Sequence, residues 1–488
     1  MTVAAPRPPE AEERSFRARI PALVLISMTQ FIIPFDYMSI TLGSLKIQAD
    51  LGMSSAMAPW ILSSYILTFG GLLLLGGRFA DLFGRRRILV IGLVIFGVFS
   101  LVTAFTTSPA MFLLARMCKG IGAALLSPAM LSLLNTLFVT PRERHRALGT
   151  YWFCAVSGGA AGVWLGGALI DLSWRLALFV NVPIALVLAL LAPKILPESR
   201  KPGVGHSIDY GGAIFSTVGF GSMILAITGT LTSGWGVRTL ALFALTAASF
   251  FAFYLCERSH PSPLIPPTFF RFRNLVGANL FSFFWAAANT NYPVSLFLQQ
   301  VFHFTPGRAG LAMLPHSLIG LASILLVVRL LDRYGPLKTM LLGALAEGCG
   351  EVILCTLTPQ STYLYMFPGL ALISIGFALA GIAVKLPASE EPEEGDQGVA
   401  GGLIFSTQQL GNAFALPIYS AVLAMASRWG EGGKDEVLAY GFHWTFATAI
   451  LFLILGSVAV IVLVREGKGM TPAHGARRPR TLIGISGK

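Results

Sequence analysis

Apolar residues in this chain come in long blocks separated by short polar segments, and the alternation recurs from residue 20 to residue 464. Each block is close to the roughly 20 residues that a helix needs to cross hydrocarbon. Backbone groups in a bilayer must be satisfied within the helix, so the polar breaks belong outside the apolar layer. The pattern predicts fourteen helical spans, at 20–42, 57–76, 88–105, 110–138, 147–170, 175–196, 210–231, 237–256, 274–299, 309–331, 338–357, 362–385, 399–426 and 443–464.

Composition strengthens this picture. A chain of 488 residues with 55% hydrophobic and 12% charged residues has too much apolar surface for an ordinary soluble core. The net charge of +12 raises nucleic acid as a partner, but the basic residues sit in short breaks and form no continuous basic face, so no nucleic acid is expected. Alternate breaks, counted with both tails, hold 27 of the 35 Lys and Arg, which predicts a plasma (inner) membrane protein with both termini in the cytoplasm. The first nineteen residues are polar and unlike a cleavable signal, which makes Ile20 the start of an uncleaved first span. The five cysteines lie in apolar segments without metal or disulfide spacing and read as small core residues.

The break from Gly77 to Arg87 reads as a cytoplasmic turn with four arginines. Gly77, Ala80, Asp81, Gly84, Arg85 and Arg86 fit the pattern G-x-L-A-D-x-x-G-R-R/K, with Phe79 in place of the leucine. This resembles the loop between helices two and three of major facilitator transporters. The turn is echoed 251 positions later, where Asp332, Gly335 and Lys338 repeat Asp81, Gly84 and Arg87, with Arg333 beside them. Trp174-Arg175 with Phe179, Asn181 and Pro183, the segment from Glu257 to Leu264, and Gly401 to Phe414 resemble elements of the fourteen-helix drug/proton antiporter branch of that superfamily.

The resemblance implies an all-α polytopic fold of two pseudo-symmetric six-helix halves plus two inserted helices. The expected division is a cytoplasmic tail at 1–19, an N-terminal half at 20–196, a linker with the inserted helices at 197–273, a C-terminal half at 274–464 and a tail at 465–488. It also implies proton-coupled export of hydrophobic or amphiphilic small molecules by a monomer in a lipid bilayer, with no cofactor beyond the proton gradient and no metal.

Asp36 sits about 24 Å along the first span at 1.5 Å per residue, where a carboxylate costs on the order of 3 kcal/mol to insert and has to face water or a partner. The resemblance makes it the protonatable acid of helix one. Arg116 reaches a similar depth from the other side and is the expected counter-ion, so a proton on Asp36 would weaken the pair. Lys119 stands where the resembling motif, R-x-x-Q-G-x-G-A-A, has Gln. It shares a face with Arg116 and is expected in the substrate cavity, where the excess positive charge favours neutral or anionic amphiphiles. Further expected cavity residues are Asn289, Asn291, Gln408, Gln409 and Asn412, polar amides that serve equally well for interhelix bonding. Gly77, Asp81, Gly84, Arg85, Arg86, Asp332 and Arg333 are the expected cytoplasmic gate. There Asp81 would accept hydrogen bonds from a neighbouring helix N-terminus and hold the two halves together. Gly158, Gly162, Gly166 and Gly167 are spaced for close helix packing. Glu347 and Glu351 share a face of the eleventh span, as a second proton site or as partners of another helix.

Two other functions fit the same pattern: a proton/solute symporter, consistent with Val163 replacing the proline of the antiporter signature, and a non-transporting sensor or scaffold. No nucleophile-base set, phosphate loop or metal cluster suggests an enzyme.

Overall fold

The structure, a computed structural model, describes residues 16–55, 57–199, 209–260, 263–265, 267–386 and 397–464. Most of the N-terminal tail, the C-terminal tail from 465 and the acidic turn at 390–396 lie outside the described residues. Helices make up the fold: α1 (Ile20–Asp50), α2 (Trp60–Phe83), α3 (Arg85–Phe105), α4 (Pro109–Leu137), α5 (Pro141–Leu172), α6 (Trp174–Phe179), α7 (Asn181–Ile195), α8 (Tyr210–Ser233) and α9 (Val237–Ser259), then α10 (Arg273–Ala287), α11 (Asn291–Gln300), α12 (Pro306–Leu354), α13 (Tyr363–Ala383), α14 (Gln397–Ala426) and α15 (Lys434–Leu463). Among the described residues, eleven helices are long and apolar enough to cross a membrane, or twelve if one bent pair counts as a single span.

Local chemistry sets several boundaries. Ser108, Thr140 and Thr305 each cap a helix whose first residue is proline, their hydroxyls accepting from Met111, Glu143 and Arg308 N–H groups. A hydroxyl satisfies an orphan donor there, and proline has no N–H to lose. The turn expected over 77–87 is mostly helical: α2 continues to Phe83, α3 starts at Arg85, and Gly84 alone leaves the helix, at φ 106°. A Cβ is disfavoured at such an angle, which accounts for glycine.

Four spans differ from the sequence expectation. The sixth is divided at Val180 and the ninth at Ala288 to Thr290, where backbone turns separate α10 from α11. The tenth and eleventh join as α12, whose 49 residues would reach about 74 Å if straight, more than twice the hydrocarbon thickness. Its contacts show that it doubles back. Ala312, His316 and Gly320 meet Tyr363, Leu370 and Ser374 in parallel order. Gly343 and Gly350 meet Gly376 and Gly369 in the reverse order. The reversal is at Gly335, at φ 77° and ψ 173°, the counterpart of Gly84.

The bundle has a distal end, near Asp50 and Asp171, and a proximal end, near Gly84 and Gly335. At the distal end the two halves are bonded together. Ser295 and Gln299 of α11 donate to the carbonyls of Thr41 and Leu42 in α1, at 3.4 and 3.1 Å. Asp171 of α5 accepts from the Thr305 hydroxyl and the Gly307 N–H, at 3.1 and 3.2 Å. Apolar packing agrees: residues 292–301 of the C-terminal half belong to the same buried cluster as the N-terminal helices, while the proximal part of that half forms its own cluster around Phe281, Trp285, Tyr419 and Phe452.

Candidate functional site

The site begins with how α1 is seated. Gly158, Gly162 and Gly166 of α5 lie directly on Phe31, Phe35 and Ser39 of α1, with no room for a Cβ at any of the three. Small residues at this spacing let two backbones approach closely. Ser39 fastens the contact, donating to the Phe35 carbonyl at 2.7 Å and to that of Gly162 at 3.3 Å. Gly167 has a different neighbour: it faces Pro306 and Gly307 of the other half. Pro34, inside α1, removes one intrahelical bond two residues before Asp36.

Asp36 is fully buried among partners from two other helices. Arg116 Nη1 donates to Oδ2 at 2.8 Å, Lys119 Nζ to Oδ1 at 2.6 Å, and Asn181 Nδ2 to Oδ1 at 3.0 Å. Arg116 Nε also donates to the Ile61 carbonyl at 3.0 Å, and its guanidinium lies 4.5 Å from the Tyr65 ring centre. The Lys119 ammonium lies 4.4 Å from the ring of Phe96. These aromatic faces supply some of the negative potential that a second carboxylate would provide. Gly120, pressed on the Tyr65 carbonyl and Thr68, allows α4 to sit close enough to α2 for these contacts.

The expected approach of Arg116 to Asp36 is therefore present. Lys119, expected on the face of Arg116 near Asp36, is fully buried and forms a second counter-ion of that carboxylate. Asn181, noted in the sequence only as part of a helix-entry motif, is the third partner. Its position in that motif was the one available signal, since α7 meets Asp36 only through the fold.

Other expected cavity residues are more scattered. Asn289 Oδ1 accepts the Asn291 N–H at 3.0 Å and so shapes the break before α11. Asn412 donates to the Gln408 carbonyl one turn back, at 3.1 Å. Gln409 packs on Gly70 of α2, whose carbonyl accepts the Ser406 hydroxyl, a contact between halves near mid-bundle. Asn289, Asn291, Gln409 and Asn412 are half-buried.

At the proximal end, the expected gate is only partly assembled. Asp81 pairs with Arg85 of its own turn at 3.3 Å rather than with the other half. The role expected of Asp81 at a helix N-terminus is taken by Glu198, which accepts the Arg86 and Arg87 N–H groups at 3.2 and 3.3 Å. An anion there meets the unpaired donors and positive end of α3. Arg86 also donates to the Pro193 and Leu196 carbonyls. Gly77 packs on Pro128 of α4. Asp332 forms no ion pair among the described residues, and the Arg333 guanidinium lies 5.3 Å from the ring of Tyr334. Among the described residues, the side-chain bonds of this turn stay within its own half.

The model of the Major Facilitator Superfamily matches residues 26–416 and 275–485. The cephamycin export protein CmcT of Amycolatopsis lactamdurans is 36% identical over 461 residues, covering 92% of this chain and 94% of that protein. The puromycin resistance protein pur8 of Streptomyces alboniger is 34% identical over 465 residues, covering 91% and 90%. Among solved structures, an auto-inhibited POT family peptide transporter superposes with a TM-score of 0.66 at 17% identity, covering 91% of this chain and 97% of that one. That last likeness concerns the fold alone.

Proposed function

The chain belongs to the major facilitator superfamily of membrane transporters, and from that premise we propose that it exports hydrophobic or amphiphilic small molecules, antibiotics among them, in exchange for protons. Relatives named for antibiotic export and resistance, aligned over nine-tenths of the chain, support the cargo class. The observation that carries the proton-coupling reading is the buried Asp36 centre, one carboxylate shared by two cations.

In this reading the chain crosses the membrane fourteen times, counting α6–α7 and α10–α11 as one span each and α12 as two. Its proximal end and both termini face the cytoplasm, as the arginine-rich breaks favour. The distal bonds then make this an outward-closed arrangement, and the two six-helix halves rock about a midplane cavity. Half-buried Asn289, Asn291, Gln409 and Asn412, with Gln408, would supply the polar contacts to cargo.

Coupling follows from charge. While Asp36 is ionised it holds α1 to α4 through Arg116 and Lys119. A proton on the carboxylate cancels its charge and leaves two cations three residues apart, which repel. Thr41 and Leu42, whose carbonyls bond α11, are five and six residues further along α1, about 8 Å away. Release of α1 at Asp36 therefore bears directly on the distal contact. The net positive charge of the centre favours neutral or anionic cargo over lipophilic cations.

The test is flux in proteoliposomes under an imposed pH gradient, with and without Asp36→Asn. Opposite movement of protons and cargo that is lost in the variant supports exchange. Parallel movement would replace this reading with symport, and an absence of movement for a broad panel of amphiphiles would leave a sensor or scaffold.

A further inference from the structure

A second ionisable centre lies in the C-terminal half, outside the coupling scheme above. Glu347 and Glu351 are one turn apart on the second pass of α12, and both are fully buried. Glu347 Oε2 accepts the indole N–H of Trp285 at 3.0 Å, and Glu351 Oε1 accepts the Thr290 hydroxyl at 2.6 Å. Trp285 is in the last turn of α10 and Thr290 precedes α11, so the two carboxyls bracket the break in that span. Their other oxygens, Glu347 Oε1 and Glu351 Oε2, are buried without a hydrogen-bond partner among the described residues.

The surroundings are short of positive charge. Tyr419 of α14 faces both carboxyls and donates its hydroxyl to the Ala287 carbonyl at 2.6 Å. Cys355, at the end of α12, faces Glu351, and its thiol contacts the His443 carbonyl from α15. The rings of His443 and His316 are directed to the carbonyls of Leu357 and Leu370. Among the described residues neither glutamate has an ion-pair partner. Two neighbouring carboxylates buried without a cation cannot both stay ionised, because like-charge repulsion adds to the cost of desolvation. The neutral acid avoids that cost, keeps the bond from Trp285 or Thr290, and turns an unpartnered acceptor into a donor.

The internal repeat relates this pair to the centre in the other half. The 251-residue offset that carries Asp81 onto Asp332 carries Phe96 and Ser100 onto Glu347 and Glu351. Phe96 is the ring beside Lys119, so the glutamates occupy, in their half, the layer that the Asp36 centre occupies in the other.

We propose that Glu347 and Glu351, with Trp285 and Thr290, form a proton-binding site of the C-terminal half, separate from Asp36, whose occupancy sets the geometry of the α10–α11 break. The proposal rests on the proton-driven reading for the use made of the proton, but the binding itself is read without transport. Infrared difference spectra of the purified full chain, titrated from acidic to alkaline buffer, test it. Wild type should show protonated-carboxyl bands that bleach on titration. Glu347→Gln and Glu351→Gln should each remove about half of that amplitude, the double variant nearly all of it, and Asp36→Asn should leave it in place. Trp285→Phe should keep the Glu347 band but move it to higher frequency, which preserves the test if a glutamate variant fails to fold. The site is overturned if no band depends on either glutamate, if the bands persist through the titration, or if sodium bleaches them at constant acidity. Since neither a gradient nor cargo is present, a failed flux assay would remove the export reading and leave this result standing.

Discussion

Asp36 carries more positive than negative charge around it, and that imbalance makes the consequences of substitution specific. Asp36→Asn leaves Arg116 and Lys119 buried together without an anion. Removing one member of a buried ion pair costs about 3–5 kcal/mol, so the purified variant should unfold at a clearly lower temperature as well as lose exchange. Lys119→Gln in the same background should recover part of the thermal stability and none of the flux, by relieving repulsion without restoring a proton site. Lys119→Gln alone leaves a neutral Asp36–Arg116 pair. For a cationic cargo bound about 10 Å away, one unit charge is worth about 1.7 kcal/mol at an effective dielectric near 20, so lipophilic cations bound at that distance should gain somewhat over tenfold in affinity, read by competition binding against a neutral amphiphile. The sequence revealed Asp36 and Arg116 because ionisable residues inside apolar spans are costly and few. It named Asn181 only as part of a motif and did not join it to Asp36, because shared helical faces do not reveal which neighbouring helix a side chain meets.

At the scale of elements, α1 carries both Asp36 and the carbonyls that bond α11. Its seat on α5 depends on Gly162, where a side chain would strike the Phe35 backbone. Gly162→Leu should therefore separate α1 from α5 and abolish flux while Asp36 and its partners remain in the chain; thermal stability and flux measured together check this. The distal contact has its own acid. Asp171, itself exposed, bonds the Thr305 hydroxyl and Gly307 N–H at the start of α12, and solvent screening holds such contacts to about 0–1 kcal/mol each. Asp171→Asn should shift the population toward distal opening, seen as faster labelling of a cysteine placed near Thr305 and as longer spin-label distances between α5 and α12. Equal labelling in the two proteins would show that the contact is not holding the end shut. Hydropathy located these spans but not their interruptions. A break such as Ala288 to Thr290 is fixed by the Asn289 side chain, which accepts the Asn291 N–H, and by the Glu351 contact from α12, and neither changes the average hydropathy of the window.

For the whole molecule, the bonds of the described residues differ between the two ends and support the proposed distal-closed arrangement. The proximal turn is tied within its own half through Asp81–Arg85 and Glu198, while the halves meet at the distal end. Asp81→Asn should accordingly leave insertion and this distal-closed form intact but block cycling, because Asp81 would act when the proximal ends come together. Spin-label distances across the distal end should match wild type while proteoliposome flux falls to background; unchanged flux would remove the gating role.

What the sequence determined by itself was set by solvent: the apolar blocks, the distribution of arginines, the paired turns at Asp81 to Gly84 and Asp332 to Gly335, and the rare buried charges all follow from transfer between water and hydrocarbon, which acts residue by residue. The glycine face on α5 was legible for a similar reason, as a spacing within one helix. Only the tertiary structure decided which helices meet. It brought Asn181 to Asp36, turned Lys119 inward, gave the α3 N-terminus to Glu198 and set Glu347 and Glu351 against the α10–α11 break. Each of these depends on the rotation and register of packed helices, which arise from contacts between residues far apart in the chain and leave no periodic trace in either segment alone.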